Sequence, residues 1–184
     1  MRRSLVGVAA CLLALGCAEQ PDKASRGRSD AVSSASQEMS GPSLLSEETF
    51  APALKALREK ADGKVLRLEI RPRELLLQAE DKLNPGGVVE LHYRDGKVSD
   101  PEHATLRGKG QLADNLFDLG QVSLEELSEL TRSAIERVDP ESGSVELVLV
   151  RRNLPESTDV RVRVYVQSPR KSGYLDADQS LSPL

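Results

Sequence analysis

An alternating pattern of eight residues occurs twice in this chain, 80 residues apart. Lys64–Arg71 reads Lys-Val-Leu-Arg-Leu-Glu-Ile-Arg, and Ser144–Arg151 reads Ser-Val-Glu-Leu-Val-Leu-Val-Arg. Apolar residues at every second position predict a strand with one face in a core. Each segment follows a helical pattern and precedes two further strand patterns. The spacing therefore indicates an internal duplication, because similarity at a fixed period is typical of repeated structural units.

Two helices are predicted from apolar residues at helical spacing. The first spans about 49–61, with Thr49 as its N-cap. The second begins at Ser123, because Ser123 and Glu126 have the spacing of a capping box. The apolar face of this second helix is formed by Leu124, Leu127, Leu130, Ala134 and Val138.

Strand patterns follow each helix. In the first strand of unit one, Leu66, Leu68 and Ile70 are expected on one face. In the first strand of unit two, Val145, Leu147 and Leu149 are expected on one face, and Val148 and Val150 on the other. The segments 74–80, 89–94, 160–167 and 172–177 supply the remaining strands. Each unit therefore has the order helix, strand, strand, strand.

This element order predicts an α+β fold of two tandem α-β-β-β units, with the helices packed on an antiparallel sheet. The units span about 48–98 and 122–180, within a tandem domain over 45–184. In this outline the chain resembles PepSY-like domains and the tandem fold of β-lactamase-inhibitor-like periplasmic proteins. The resemblance covers 48–180 by pattern only. It implies a non-catalytic binding or inhibitory module and transfers no site residues.

The segment between the two units, Leu112–Leu119, carries large apolar residues where a loop is expected. We expect it to pack across the sheet and bridge the units. The alternative is a partner-binding segment, for which Leu116 and Phe117 are the candidate contact residues.

The N-terminus has the pattern of an export signal. Arg2 and Arg3 precede the uncharged run Ser4–Gly16. This run is shorter than the roughly 20 residues that a transmembrane helix needs, so a cleavable signal peptide over 1–16 is predicted. It ends in Leu-Ala-Leu-Gly-Cys17, which resembles the lipobox of bacterial lipoproteins. The resemblance implies lipidation of Cys17 and cleavage after Gly16.

Two alternatives to this interpretation stay open. Val-Ala-Ala-Cys11 is a rival lipobox, although it leaves a very short apolar run after Arg3. The other alternative is an ordinary secretory signal or an uncleaved hydrophobic start. Residues 17–44 are then predicted to be the lipidated cysteine and a disordered tether, because large apolar residues are scarce there. Asp does not follow Cys17, which favours the outer membrane for a protein anchored in the periplasm.

Composition excludes several classes of function. Removal of Arg2 and Arg3 with the signal leaves 23 basic and 29 acidic residues, a formal charge of −6. A general nucleic-acid-binding domain is expected to be basic. Loss of Cys11 and lipidation of Cys17 leave no thiol for a disulfide or a metal. We therefore predict no nucleic-acid partner and no cofactor.

No constellation of catalytic or metal-binding residues is evident in the sequence. His92 and His103 are the only histidines, and they are predicted to be surface residues. No strand-Gly-x-Ser-x-Gly nucleophile elbow is present. The sequence therefore predicts a protein that is not an enzyme and has no metal site.

The second unit has a basic strand face. Arg161 and Arg163 lie two residues apart on one strand and must share a face, with Tyr165 next on that face. These three are candidate partner-binding residues, with an anionic lipid headgroup, a glycan phosphate or an acidic protein as the partner. The leading hypothesis is a lipid-anchored cell-envelope binding or scaffold protein without catalysis. The alternatives are an inhibitor or sensor of a periplasmic enzyme and an envelope hydrolase with an unrecognised site.

Overall fold

A computed structural model describes residues 42–107 and 110–184. The predicted signal peptide, the lipidation of Cys17 and almost all of the predicted tether lie outside these residues. The helices are α1 (Glu47–Lys60), α2 (Leu112–Asn115) and α3 (Leu127–Val138). The strands are β1 (Val65–Arg71), β2 (Glu74–Glu80), β3 (Val88–Arg94), β4 (Lys97–Val98), β5 (Glu102–His103), β6 (Ser144–Arg152), β7 (Val160–Gln167) and β8 (Ser172–Ala177).

All eight strands belong to one antiparallel sheet. Its order is β4-β3-β2-β1-β6-β7-β8, and β5 pairs with β3 next to β4. Helix α1 packs on β2 and β3, and α3 packs on β6, β7 and β8. Their apolar faces share one core with Leu68, Leu77, Val150 and Val162, so both helices cover the same side of the sheet. The predicted α+β fold with two α-β-β-β units is confirmed, and the two units form one continuous sheet.

The two units are related by a pseudo-two-fold axis through the centre of the sheet. Strands β1 and β6 are antiparallel neighbours, with Leu68 opposite Val150 and Ile70 opposite Val148. Glu69 lies opposite Leu149, and these two residues are themselves 80 positions apart. The axis therefore passes between Glu69 and Leu149, so residues 80 apart in β1 and β6 are structural equivalents.

Both central strands contain an irregularity at the equivalent place. The pairing register shifts between Val65 and Arg67 in β1, and between Val145 and Leu147 in β6. A bulge inserts one residue and reverses the alternation beyond it. The expected faces are therefore wrong at Leu66 and Val145. Leu66 does not share the buried side of Leu68 and Ile70, and Val145 is buried on the side opposite to Leu147 and Leu149.

The helix starts also differ from the predictions. The N-cap of α1 is Ser46 rather than Thr49. The hydroxyl of Thr49 donates to the Ser43 carbonyl at 2.5 Å. Ser123 makes no capping hydrogen bond, because Leu124–Glu126 forms a 3₁₀ turn and the α-helix begins at Leu127. All five residues predicted for the apolar face are buried. Within the described residues, no helix has the length and apolar character needed to cross a membrane.

The connecting segment packs into the core, as the first interpretation predicted. The backbone of Phe117 exchanges hydrogen bonds with that of Val65, at 2.8 and 2.9 Å. Leu116 and Phe117 are only 5% and 1% exposed. The alternative in which they contact a partner is therefore incorrect for this structure, because both side chains are occupied by the protein's own core.

Candidate functional site

The side of the sheet opposite the two long helices is termed the open face. Its side chains are partly or largely exposed, whereas most of the strand side chains that face the helices are buried. The open face consists of Arg67, Glu69, Arg71, Glu74, Leu76, Gln78, Glu90, His92, Arg94, Leu147, Leu149, Arg151, Arg161, Arg163, Tyr165, Tyr174 and Asp176. It is a broad polar surface built on six long strands.

An arginine-aspartate cluster occupies the second unit's part of the open face. Arg163 donates from Nε and Nη2 to the two carboxylate oxygens of Asp176, at 2.6 and 2.8 Å. Arg161 donates to the same carboxylate at 3.4 Å. The hydrogen bonds from Arg163 lower the pKa of Asp176 and raise that of Arg163. One carboxylate is thus shared by two guanidinium groups.

Two tyrosines extend this cluster. Tyr165 on β7 lies opposite Tyr174 on β8, with ring centroids 6.2 Å apart. The Arg163 guanidinium lies 4.2 Å from the centroid of the Tyr174 ring, within range of a cation–π interaction. Tyr174 is 54% exposed, although it is a large aromatic residue. The cluster therefore presents a pre-arranged aromatic and cationic surface.

A histidine-carboxylate cluster occupies the first unit's part. His92 Nδ1 lies 2.7 Å from Glu74 and Nε2 lies 3.1 Å from Glu90. Arg94 donates to the same Glu74 oxygen at 2.8 Å. Partial burial lowers the pKa of His92, but the hydrogen bonds to both carboxylates outweigh it and raise that pKa. Only a doubly protonated imidazole can donate to both partners, so the cluster favours the cationic form.

The two clusters occupy equivalent positions with opposite charge. Glu69 pairs with Leu76, and its equivalent Leu149 pairs with Arg163, so Leu76 corresponds to Arg163. By the same registers, Glu74 corresponds to Arg161 and His92 to Asp176. Individual equivalent positions on the open face therefore carry opposite charges in the two units.

The structure brings the predicted residues Arg161, Arg163 and Tyr165 together, as alternation along one strand requires. No pattern along the chain singles out Tyr174, or Asp176 as the partner of Arg163. Both residues lie on the neighbouring strand, so only the β7–β8 register could have identified them.

A groove opens where the connecting segment meets the open face. Its volume is about 390 Å³, and it is lined by Leu66, Arg67, Gln78, Thr105, Leu106, Arg107, Asn115, Arg151, Arg152 and Leu154. On the helix side, a larger groove of about 550 Å³ runs between α1 and Leu124, with a rim of mixed charge. Neither groove is lined by His92 or His103. Among the described residues, no group of His, Cys, Asp and Glu is placed to hold a metal ion.

The sequence matches no protein-family model and no curated protein. Among solved structures, the fold is similar to a crystal structure of a "putative lipoprotein" from Clostridium difficile 630. The TM-score is 0.52 at 10% sequence identity, over 78% of this chain and 97% of the other. This similarity shows that the fold occurs in another protein. The resemblance to PepSY-like domains stays a prediction.

Proposed function

We propose that the chain is a lipid-anchored protein of the cell envelope that binds an envelope component through the open face of its sheet, without catalysis. The observation that carries this proposal is the open face itself. Both long helices pack on the other side, and the open face presents the exposed Tyr174 beside the Arg163–Asp176 pair. Exposed aromatic and arginine side chains held in fixed positions are typical of binding surfaces.

The membrane anchor is supported by two independent resemblances. The segment 13–17 resembles a lipobox, and a protein of similar fold is described as a lipoprotein. Intact-mass measurement of the protein from membranes tests the anchor. We expect a chain that begins at Cys17 and carries acyl groups, and a Cys17→Ala variant that lacks them. An unmodified chain cut elsewhere would reject the anchor and with it the location on the periplasmic side of a membrane.

Site-specific photo-crosslinking tests the binding surface. A benzophenone amino acid replaces Tyr174 on the open face or, as a matched control, Arg137 on the exposed side of α3. We expect a discrete cross-linked species from the Tyr174 position only, and its loss when Arg163→Ala is added. Equal cross-linking from both positions would show that the open face has no special role.

An inhibitor or sensor of an envelope enzyme is the second candidate. It is favoured by the residue types at the Tyr174 surface, because Tyr and Arg are enriched at protein-binding hot spots. If the cross-linked species is an enzyme, adding the purified chain should lower that enzyme's turnover. The Arg163→Ala chain should have no effect. An enzyme whose turnover is unchanged by the chain would favour the scaffold.

A further inference from the structure

The groove at the end of the open face has an unusual charge composition. Four of its lining residues are the arginines Arg67, Arg107, Arg151 and Arg152. No carboxylate is among the described residues that line it. A second, shallow cleft beside it shares Arg151 and Arg152 and adds Arg161 and Arg163. This concentration of positive charge lies in a chain whose overall formal charge is −4.

Strand pairing places three of these arginines in a row. Arg67 on β1 lies opposite Arg151 on β6, and Arg151 lies opposite Arg161 on β7. Like charges at directly opposite positions destabilise a sheet, because their Cβ atoms are only about 4.5–5.5 Å apart. The row is not a by-product of duplication, since the residue equivalent to Arg67 in the second unit is Leu147.

The carboxylates nearby only partly balance this row. Glu69 lies 3.3 Å from Arg67 but is shared with Arg71 at the same distance. Arg161 shares Asp176 with Arg163. Arg151 forms no salt bridge with any described residue, as judged over 42–107 and 110–184.

Two further observations point to a missing anion. Arg152 donates to the backbone carbonyls of Leu116 (2.9 Å) and Thr158, which hold the guanidinium in place but carry no negative charge. Arg67 Nε is buried and has no hydrogen-bond partner among the described residues. A buried donor without a partner is costly, so it marks a position where an acceptor is expected.

On the basis of the proposed binding function, we infer that this groove binds the phosphate group of a ligand. Guanidinium forks match tetrahedral phosphate oxygens in bidentate fashion. A phosphate group with two or more negative charges neutralises several arginines within one small volume, which a single carboxylate does not. Arg67, Arg151 and Arg152 line the groove together and supply its cations.

Calorimetric titration of the full chain with inorganic pyrophosphate tests the inference. We expect saturable binding that weakens as salt is raised, and an affinity about tenfold lower in Arg151→Gln. Arg71→Gln is the matched control. Arg71 is the equivalent of Arg151 in the first unit, lies outside the groove and should be removable without loss of affinity. Circular dichroism checks that both variants are folded.

Competition with lipid vesicles identifies the source of the phosphate. If vesicles containing phosphatidylglycerol compete with pyrophosphate and phosphatidylcholine vesicles do not, the ligand is a lipid headgroup. If neither competes, it is a soluble phosphate compound. Absence of pyrophosphate binding, equal binding of citrate, or an equal loss in Arg71→Gln would overturn the inference. Cross-linking from Tyr174 tests the open face separately, so it can succeed when the groove fails.

Discussion

The two units resemble each other on the side that faces the helices and differ on the open face. Towards the helices, Leu68 and Ile70 of β1 correspond to Val148 and Val150 of β6, and all four are fully buried. On the open face, a carboxylate corresponds to a guanidinium at Glu74 and Arg161. The core therefore keeps one kind of residue at equivalent positions, whereas the open face does not.

This difference separates what folding requires from what it leaves free. Volume and apolarity are constrained at a buried position, since deleting even a few methyl groups is destabilising. A half-exposed position tolerates either charge if a partner lies on the next strand. In the first unit, β3 supplies two cationic partners to Glu74; in the second, β7 supplies two to Asp176. The same backbone thus holds a carboxylate in one unit and a guanidinium in the other at equivalent positions.

The largest effect is expected where the two units share one core. Leu68→Ala should lower the free energy of unfolding by about 2–5 kcal/mol. Val148→Ala at the equivalent position should lower it by roughly 2 kcal/mol, because fewer carbon atoms are removed. Urea unfolding followed by circular dichroism measures both.

Each variant should unfold in one transition, since β1 and β6 join the units into one sheet. A two-step transition in Val148→Ala, with the first unit still folded, would show that the units are energetically independent. Leu83→Ala is a matched control, because Leu83 is 90% exposed and its loss creates no cavity.

The glycines that precede the two bulged strands are the next comparison. A Cβ at Gly143 would lie 2.5 Å from the Asp139 carbonyl oxygen, and one at Gly63 would lie 2.8 Å from the Glu80 carbonyl oxygen. Both contacts are with backbone, which cannot move aside easily. Alanine at either position should lower the free energy of unfolding by roughly 1–3 kcal/mol, and the loss should be larger at Gly143. Thermal unfolding that leaves Gly143→Ala as stable as the parent would show that the turn has room to relax.

The fold could largely be predicted because its elements have clear periodicity. Apolar and polar residues alternate along β7 without interruption, and its four valines are buried as expected. The central strands could not be predicted as well. A bulge leaves no mark on composition, so alternation carried through it placed Leu66 with Leu68 and Ile70, and Val145 with Leu147 and Leu149, although the structure separates them. The capping box at Ser123 had the expected spacing, but a 3₁₀ turn occupies those residues.

The candidate site was predictable only in the part that lies on one strand. Alternation alone places Arg161, Arg163 and Tyr165 on one face. The row from Arg67 through Arg151 to Arg161 depends on the pairing of Arg67 with Arg151, which lie 84 positions apart in the chain. No local pattern contains that register, so a site assembled across strands requires the structure.

A smaller effect than that of Leu68→Ala is expected from a buried carboxylate at the C-terminal end of the second unit's helix. Asp139 caps the end of α3, where α1 has Ala61. It is fully buried and bound by Arg170 at 2.5 Å. Hydrogen bonds from Arg170 hold the pKa of Asp139 far below its usual range despite its burial. Its contribution is therefore fully present above the unfolded-state pKa near 3.8 and is lost as the pH falls below it.

Asp139→Asn should lower the urea midpoint at pH 7 and leave a shallower fall in stability between pH 5 and pH 3. Arg170→Gln should reproduce most of the loss, because it removes the same pair. If Asp139→Asn is as stable as the parent at pH 7, the neutral hydrogen bonds to Ser142 and the 141–142 backbone are sufficient.

The smallest effect on stability is expected near neutral pH from the histidine-carboxylate cluster of the first unit. The raised pKa of His92 means that its ion pairs are fully formed below the unfolded-state value near 6.5. Their contribution is lost as the pH rises through the higher, folded-state pKa. His92 is about one-third exposed, so we expect less than about 1 kcal/mol between pH 6 and pH 8.5. Nuclear magnetic resonance titration of the imidazole gives the folded-state pKa directly.

The equivalent cluster of the second unit sharpens this test. Asp176 has a lowered pKa and its partners are arginines, so its ion pairs do not titrate over the same pH range. His92→Gln should therefore flatten the dependence of stability on pH, whereas Asp176→Asn should lower stability by a constant amount and preserve the slope. A His92 pKa at or below 6.5 would contradict the expectation. It would mean that burial of the imidazole outweighs its two carboxylate partners, and the first unit's open face would then carry no net charge at neutral pH, because its three arginines balance its three glutamates.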